Sequence, residues 1–137
     1  MKKFSLMILS ISISLFLISC SEEGQTEERF LFAGEIDKII VTGKGVNRDL
    51  GTRTIDSDAE INVIKEAMQD VAVSSKFRTF EEALFELEVI FKDDLKETID
   101  IWYYPSAKTS VFYTDKIYYS MNVSRVPALI KLFESFK

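Results

Sequence analysis

Apolar and polar residues alternate with a period of two along several segments of the chain. Residues 84–91 carry phenylalanine, leucine or valine at every odd position and mostly charged residues between them. This spacing predicts a strand that buries one face. Residues 34–42 are rich in β-branched side chains and predict an earlier strand. Residues 53–55 are a candidate for a short strand between the two.

Two β-hairpins follow from the turn residues and the alternation in the second half of the chain. Asp93 and Asp94 predict a turn, after which residues 98–104 form the returning strand that ends at Pro105. Residues 110–113 and 116–121 predict a second hairpin. The two hairpins together predict an antiparallel meander.

Helical spacing appears twice. Ser57 and Glu60 have the spacing of a capping box, and apolar residues then recur at helical intervals as far as Val71, which predicts a helix of about four turns. A second helix ends the chain, with Asn122 or Ser124 as its predicted cap. Its predicted apolar face consists of Val126, Leu129, Ile130, Phe133 and Phe136.

These elements predict an α+β fold for residues 31–137, taken as a single domain. We expect an antiparallel β-sheet of about four to five strands, in the order β, α, β-meander, α. Both amphipathic helices are expected to pack on one face of the sheet, because each has a single apolar side. The other sheet face is expected to be open.

The first 19 residues have the layout of a secretory signal peptide. Lys2 and Lys3 precede an apolar run over residues 4–18, which is short for a membrane span of about 20 residues. Residues 20–30 begin at Cys20 and are polar and acidic, which predicts a flexible tether. The alternatives are an uncleaved membrane anchor, or an ordinary signal peptide followed by a chance cysteine.

The end of the apolar run, Leu17-Ile18-Ser19-Cys20, resembles the lipobox of bacterial lipoproteins. That resemblance implies a diacylglyceryl group on the Cys20 thiol and cleavage just before it. It also implies a mature chain anchored on the extracytoplasmic side of a bacterial cell membrane, where several acyl chains hold firmly and one does not.

The mature chain resembles a family as a whole. An acidic tether, the segment Asp-Lys-Ile-Ile-Val at 37–41 and the segment Thr-Ile-Asp-Ser-Asp-Ala-Glu-Ile at 54–61 precede an aromatic meander and a final helix. This layout is similar to the small extracytoplasmic lipoproteins of Bacillus-type bacteria, the YhfM-like family. The resemblance implies location and fold, with no established activity and no catalytic residues.

Charge and composition narrow the classes of function. The net charge is −5, and a chain beginning at Cys20 has 15 basic and 22 acidic residues, or −7. An acidic surface repels phosphate, so nucleic acid is not an expected partner. The chain has no histidine and one cysteine, which excludes histidine triads, histidine metal sites and an internal disulfide. We predict no catalytic set, no metal site and no cofactor.

Carboxylates leave one enzymatic alternative open, a small cell-envelope hydrolase. Such an enzyme needs two acids in a cleft, one of them with a raised pKa. The candidate acids are Asp56, Asp58, Asp93 and Asp100. Helix capping and turn formation explain the first three more simply.

Aromatic residues are concentrated between positions 102 and 119, which contain all five tyrosines and the only tryptophan. Exposed Trp and Tyr favour binding of a partner, whereas buried ones pair across strands. The predicted binding face consists of Trp102, Tyr104, Tyr113 and Tyr119. We therefore expect a non-catalytic module that binds a protein or small ligand at the open sheet face, with a structural accessory subunit of an envelope complex as a further alternative.

Overall fold

Residues 30–77 and 79–136 are described by a computed structural model of the chain. Within these ranges the chain forms seven strands, two α-helices and two 3₁₀ helices. The strands are β1 (Ile36–Gly43), β2 (Thr52–Ile55), β3 (Ala72–Val73), β4 (Phe85–Phe91), β5 (Lys96–Tyr104), β6 (Thr109–Thr114) and β7 (Ile117–Ser120). The helices are α1 (Asp58–Ala67) and α2 (Val126–Glu134), and the 3₁₀ helices cover Gly45–Leu50 and Pro105–Ala107. The predicted signal peptide, Cys20 and residues 21–29 of the predicted tether lie outside the described ranges.

All seven strands pair antiparallel in one sheet, in the order β2-β1-β4-β5-β6-β7-β3. The prediction of an α+β fold with four to five strands is therefore wrong, because the described chain is mostly β with two short helices. The two edge strands account for much of the difference. β2 has four residues and β3 has two, too few to show an alternation, and they are strands because they pair with β1 and β7.

Helix α1 begins at the predicted cap but ends early. The Ser57 hydroxyl accepts a hydrogen bond from the Glu60 backbone N–H at 3.4 Å and donates one to a Glu60 carboxylate oxygen at 2.9 Å. The helix ends at Ala67 after ten residues rather than at Val71. Asp70, three residues beyond the helix end, adopts a left-handed φ of 54°, so the helical conformation does not continue to Val71. Val71 is buried beyond the helix end.

Helix α2 starts without the predicted side-chain cap. Its N-terminal flanking residue is Arg125, whose side chain makes no capping hydrogen bond. Asn122 instead accepts from the Ser124 backbone N–H at 3.0 Å, within the preceding turn. Pro127 lies in the first helical turn, where the missing N–H costs nothing.

The hydrophobic core lies between the helices and one face of the sheet. The Phe85 ring of β4 lies 4.6 Å from the Phe133 ring of α2, and Ile64 of α1 joins the same cluster of buried side chains. Burial of such side chains contributes about 1.5–3 kcal/mol each relative to exposure. We call the opposite side of the sheet the open face.

A crossing segment partly covers the open face. β3 and β4 are consecutive strands, yet β5, β6 and β7 lie between them in the sheet. The connection, residues 74–77 and 79–84 of the described chain, therefore has to pass over these three strands. We call it the strap. It passes on the open face, because the Phe77 ring lies 6.1 Å from Trp102 and 5.1 Å from Tyr118.

Candidate functional site

The four residues of the predicted binding face do not share one side of the sheet. Trp102 pairs with Val111 and Tyr113 pairs with Tyr118 on the open face, where Tyr104 also lies. Tyr119 pairs with Phe112 on the core side. It is 9% exposed and stacks on the Phe112 ring at 5.0 Å. Adjacent strand residues point to opposite faces, so Tyr118 rather than Tyr119 brings the β7 ring to the open face.

Trp102 lies on the open face but is not exposed to solvent. The strap covers it, leaving 7% of the residue accessible. Its indole Nε1 donates a hydrogen bond to the Glu81 carbonyl oxygen at 3.1 Å. Trp102 thus holds the strap on the sheet, and its ring does not offer a surface to a partner in this conformation. The alternation along β5 predicts that Trp102 lies on the open face. Its burial depends on the strap, which comes from another part of the chain.

Three aromatic residues on or beside the strap keep some exposure to solvent. Tyr113 and Tyr118 have ring centroids 4.6 Å apart and are each partly buried. Phe80 of the strap is fully exposed. Sequence reasoning missed Phe80, because residues 74–83 show neither strand alternation nor helical spacing. We call Phe80, Tyr113 and Tyr118 together the strap face, because the strap crosses the side of the sheet on which the two tyrosines lie.

Phe80 is presented by a segment that is held on both sides of it. Phe77 packs against Tyr118 and Trp102 on one side. On the other side, the carbonyl oxygen of Glu81 accepts the Trp102 hydrogen bond. Thr79 tightens the turn between them, since its hydroxyl oxygen accepts from the Glu81 backbone N–H at 3.0 Å.

Two carboxylates face each other next to the tyrosines. Glu86 of β4 and Asp100 of β5 are direct cross-strand partners, and Tyr113 is the next residue along the same row. Burial, and secondly the charge of Glu86, raise the pKa of Asp100, whereas Lys44 lowers it. Lys44 forms an ion pair with Glu86 at 3.4 Å. The open face therefore carries two opposed carboxylates, of which Glu86 has a lysine partner and Asp100 is partly buried.

The other acids of the hydrolase alternative lie elsewhere. Asp56 and Asp58 are exposed at the start of α1, on the helix-covered side of the molecule. Asp93 is exposed in the turn after β4, where its carboxylate accepts from the Leu95 backbone N–H at 3.2 Å. Asp100 lies on the open face, apart from these three acids. Over residues 30–77 and 79–136, no three Cys, Asp or Glu residues converge in a way that could hold a metal ion.

Neither α1 nor α2, the α-helices of the described ranges, is long and apolar enough to cross a membrane.

Comparison with known proteins gives one family and no individual relative. No curated protein matches the chain, and no solved structure matches it. The YhfM protein family matches residues 33–137, which include all seven strands and both α-helices. Its match confirms the family resemblance, while bacterial origin and lipid attachment stay predictions. The chain therefore belongs to the YhfM protein family.

Proposed function

We propose that the chain is a bacterial lipoprotein, anchored through Cys20 on the extracytoplasmic side of the cell membrane, that binds a protein partner without catalysis. The partner would bind at the strap face. One observation carries the binding proposal: Phe80 is a fully exposed aromatic side chain on a segment held on both sides by Trp102 and its neighbours.

The way the strap is held supports binding in physical terms. An aromatic ring contributes a large apolar area with few rotatable bonds, and such rings dominate the energetics of protein interfaces. Because the backbone around Phe80 is already fixed by neighbouring contacts, less conformational entropy would be lost on association. The half-buried Tyr113 and Tyr118 add rings with a polar end.

The shape of the surface favours a protein over a small ligand. Small-molecule sites are concave and enclose most of the ligand. Cavities of about 530 and 250 Å³ lie at other places, one at the end of the sheet beside Phe30 and one between Pro105 and α2. The strap face lines neither of them.

The predicted anchor would restrict where the partner is found. Phe30 lies ten positions after Cys20, and a fully extended segment over ten positions spans about 35 Å. Phe30 packs onto the domain, with its ring 5.1 Å from that of Phe112. The domain would therefore stay close to the membrane, and its partner would be a membrane or envelope protein.

The lipid anchor is tested by Cys20→Ser in the producing cell. We expect wild-type protein to incorporate labelled palmitate and to sediment with membranes, because the thiol is the acceptor of the diacylglyceryl group. The variant should incorporate none. Ser21→Ala is the matched control and should behave as wild type. Equal labelling of the Cys20→Ser variant would contradict the anchor and leave the binding proposal standing.

The binding surface is tested by a photo-crosslinking amino acid placed at single positions in intact cells. We expect a discrete crosslinked product from position 80 and none from position 128, which is exposed on α2 away from the open face. Phe80→Ala should reduce crosslinking from position 113. The same products from positions 80 and 128, or none from either, would contradict the proposal.

The envelope hydrolase has one specific observation in its favour, the opposed carboxylates of Glu86 and Asp100 with the raised pKa of Asp100. A carboxyl group with a raised pKa opposite a second carboxyl group is an arrangement used in general acid–base catalysis. Incubation of the protein with purified cell walls tests it. Release of soluble fragments that is lost in both Asp100→Asn and Glu86→Gln would favour the hydrolase over the binding module.

A further inference from the structure

A groove of about 530 Å³ opens at the end of the sheet where the described chain enters the domain. It lies between the entry segment, the turn after β4 and the turn after β6. Leu31 and Leu95 form its rim and are 76% and 60% exposed. Its apolar lining comprises Phe30, Leu31, Ala33, Phe91, Leu95 and Tyr119. This volume lies within the usual range for small-molecule sites.

A carboxyl group lies among these apolar side chains. Glu97 pairs with Val89 and therefore lies on the core side of the sheet, at the margin of the core. It accepts a hydrogen bond from the Thr114 hydroxyl at 3.0 Å. Burial, and to a smaller extent the charge of Asp115, raise the pKa of Glu97, while the bond from Thr114 lowers it. Asp115 also lines the groove.

The positive charge nearest in sequence is directed away from this carboxyl. Lys96 contributes to the lining, but its ammonium group binds Glu88 at 3.1 Å. Lys96 and Glu88 both lie on the open face, where they pair with Ile90 and Thr98. The groove thus combines an apolar rim with two acidic residues, Glu97 and Asp115. Among the described residues, neither of these acids forms an ion pair.

We propose that this groove binds a small amphipathic amine, with its alkyl part against Leu31 and Leu95 and its ammonium group between Glu97 and Asp115. The apolar rim would bury methylene groups at about 0.8 kcal/mol each. The ammonium group would replace the solvation that Glu97 has lost, whereas an anionic head would be repelled. The proposal is independent of the strap face, which lies on the other side of the sheet.

The charge of residues 21–29, the predicted tether, does not favour them as the ligand of this groove. Residues 21–29 include Glu22, Glu23, Glu27 and Glu28 and no basic residue apart from Arg29. Two acids in the groove would repel such a segment. Charge complementarity therefore favours a separate cationic ligand over an internal occupant.

Titration calorimetry on the full chain in phosphatidylcholine nanodiscs tests the proposal, with the heat of empty discs subtracted. The probe is n-hexylammonium. Hexanoate has the same tail with the opposite charge, and methylammonium has the same head without the tail. We expect saturable binding of n-hexylammonium only. Equal binding of hexanoate, or no saturable binding of n-hexylammonium, would overturn the proposal.

Single substitutions test the contacts of the ammonium head and of the alkyl tail one at a time. Glu97→Gln should raise the dissociation constant for n-hexylammonium about tenfold or more, because a hydrogen bond to a charged group is lost. Glu86→Gln, a half-buried acid on the open face whose partner Lys44 does not line the groove, is the matched control and should leave the constant unchanged. Leu31→Ser should weaken binding without unfolding, since Leu31 is mostly exposed. Wild-type affinity in both Glu97→Gln and Leu31→Ser would overturn the proposal.

Discussion

The indole Nε1 of Trp102 donates a hydrogen bond to the main-chain carbonyl oxygen of Glu81 at 3.1 Å. This bond joins the centre of the sheet to a segment that otherwise has no regular structure, and together with the packing of Phe77 it keeps the strap on the open face. The residue predicted to be an exposed binding side chain is thus an anchor, and the exposed ring nearby is that of Phe80.

Loss of the Trp102 hydrogen bond should loosen the strap before it unfolds the domain. We expect Trp102→Phe to lower the free energy of unfolding by about 1 kcal/mol, the usual contribution of one such bond. Backbone amides of the strap should exchange hydrogen faster, while those of β4 stay protected. Hydrogen–deuterium exchange with mass spectrometry measures amide exchange in both the strap and β4. Tyr104→Phe, on the same strand face, is the control, and unchanged strap exchange in Trp102→Phe would contradict the anchoring role.

Asp100 should make the stability of the domain depend on pH in an identifiable direction. Its pKa is raised in the folded state by burial and by Glu86, so its contribution to stability is complete below its unfolded pKa. The contribution is lost as the pH rises through the folded pKa. Asp100→Asn should therefore be more stable than wild type at pH 7.5, and this gain should disappear towards pH 4.

Urea unfolding at several pH values measures this difference between Asp100→Asn and wild type. Asp37→Asn, an exposed position on β1, is the control for removal of one negative charge from an acidic protein. A gain in Asp100→Asn that is the same at pH 4 and pH 7.5 would contradict the assignment to the Asp100 carboxyl.

Gly43 permits a close contact that no other residue could make. A Cβ atom at this position would lie 2.0 Å from the Asn47 carbonyl oxygen, in the 3₁₀ helix that folds back onto β1. Gly43→Ala should displace that helix and cost about 1–3 kcal/mol of unfolding free energy, as expected for overpacking. Gly34→Ala is the control, because its Cβ would make an ordinary contact of 3.7 Å with Phe91. Equal thermal stability of the two variants would disprove the contact.

Arg53 connects edge strand β2 to α1 and to the two residues that follow α2. Its guanidinium donates to a Glu60 carboxylate oxygen at 2.7 Å and to the Ser135 hydroxyl at 3.3 Å. The guanidinium carbon lies 4.7 Å from the centre of the Phe136 ring. Arg53→Lys should cost about 1–2 kcal/mol, because lysine does not reproduce the planar fork and its stacking. Arg48→Lys, in an exposed pair with Glu82, should cost less than about 0.5 kcal/mol, and equal costs would contradict this role of Arg53.

The sequence alone determined the local parts of this protein. The alternation in residues 85–91 identified β4 and its buried side, because side chains of a strand alternate between faces whatever surrounds them. The capping pair of Ser57 and Glu60 identified the start of α1, since both partners lie within one helical turn. The turns at Asp93 and Asp115 likewise depend on residues that are adjacent in sequence.

Only the tertiary structure decided the rest. β3 is a strand because Ala72 and Val73 pair with Ser120 and Tyr119, nearly 50 residues away, and two residues have no pattern of their own. The burial of Trp102 depends on a strap that must cross three strands to reach β4. Glu97 lies in an apolar groove because the entry segment and the turn after β6, both distant in sequence, meet the start of β5 there. Burial and pairing depend on partners that are remote in sequence, and these partners determined which residues of the chain remain available for binding.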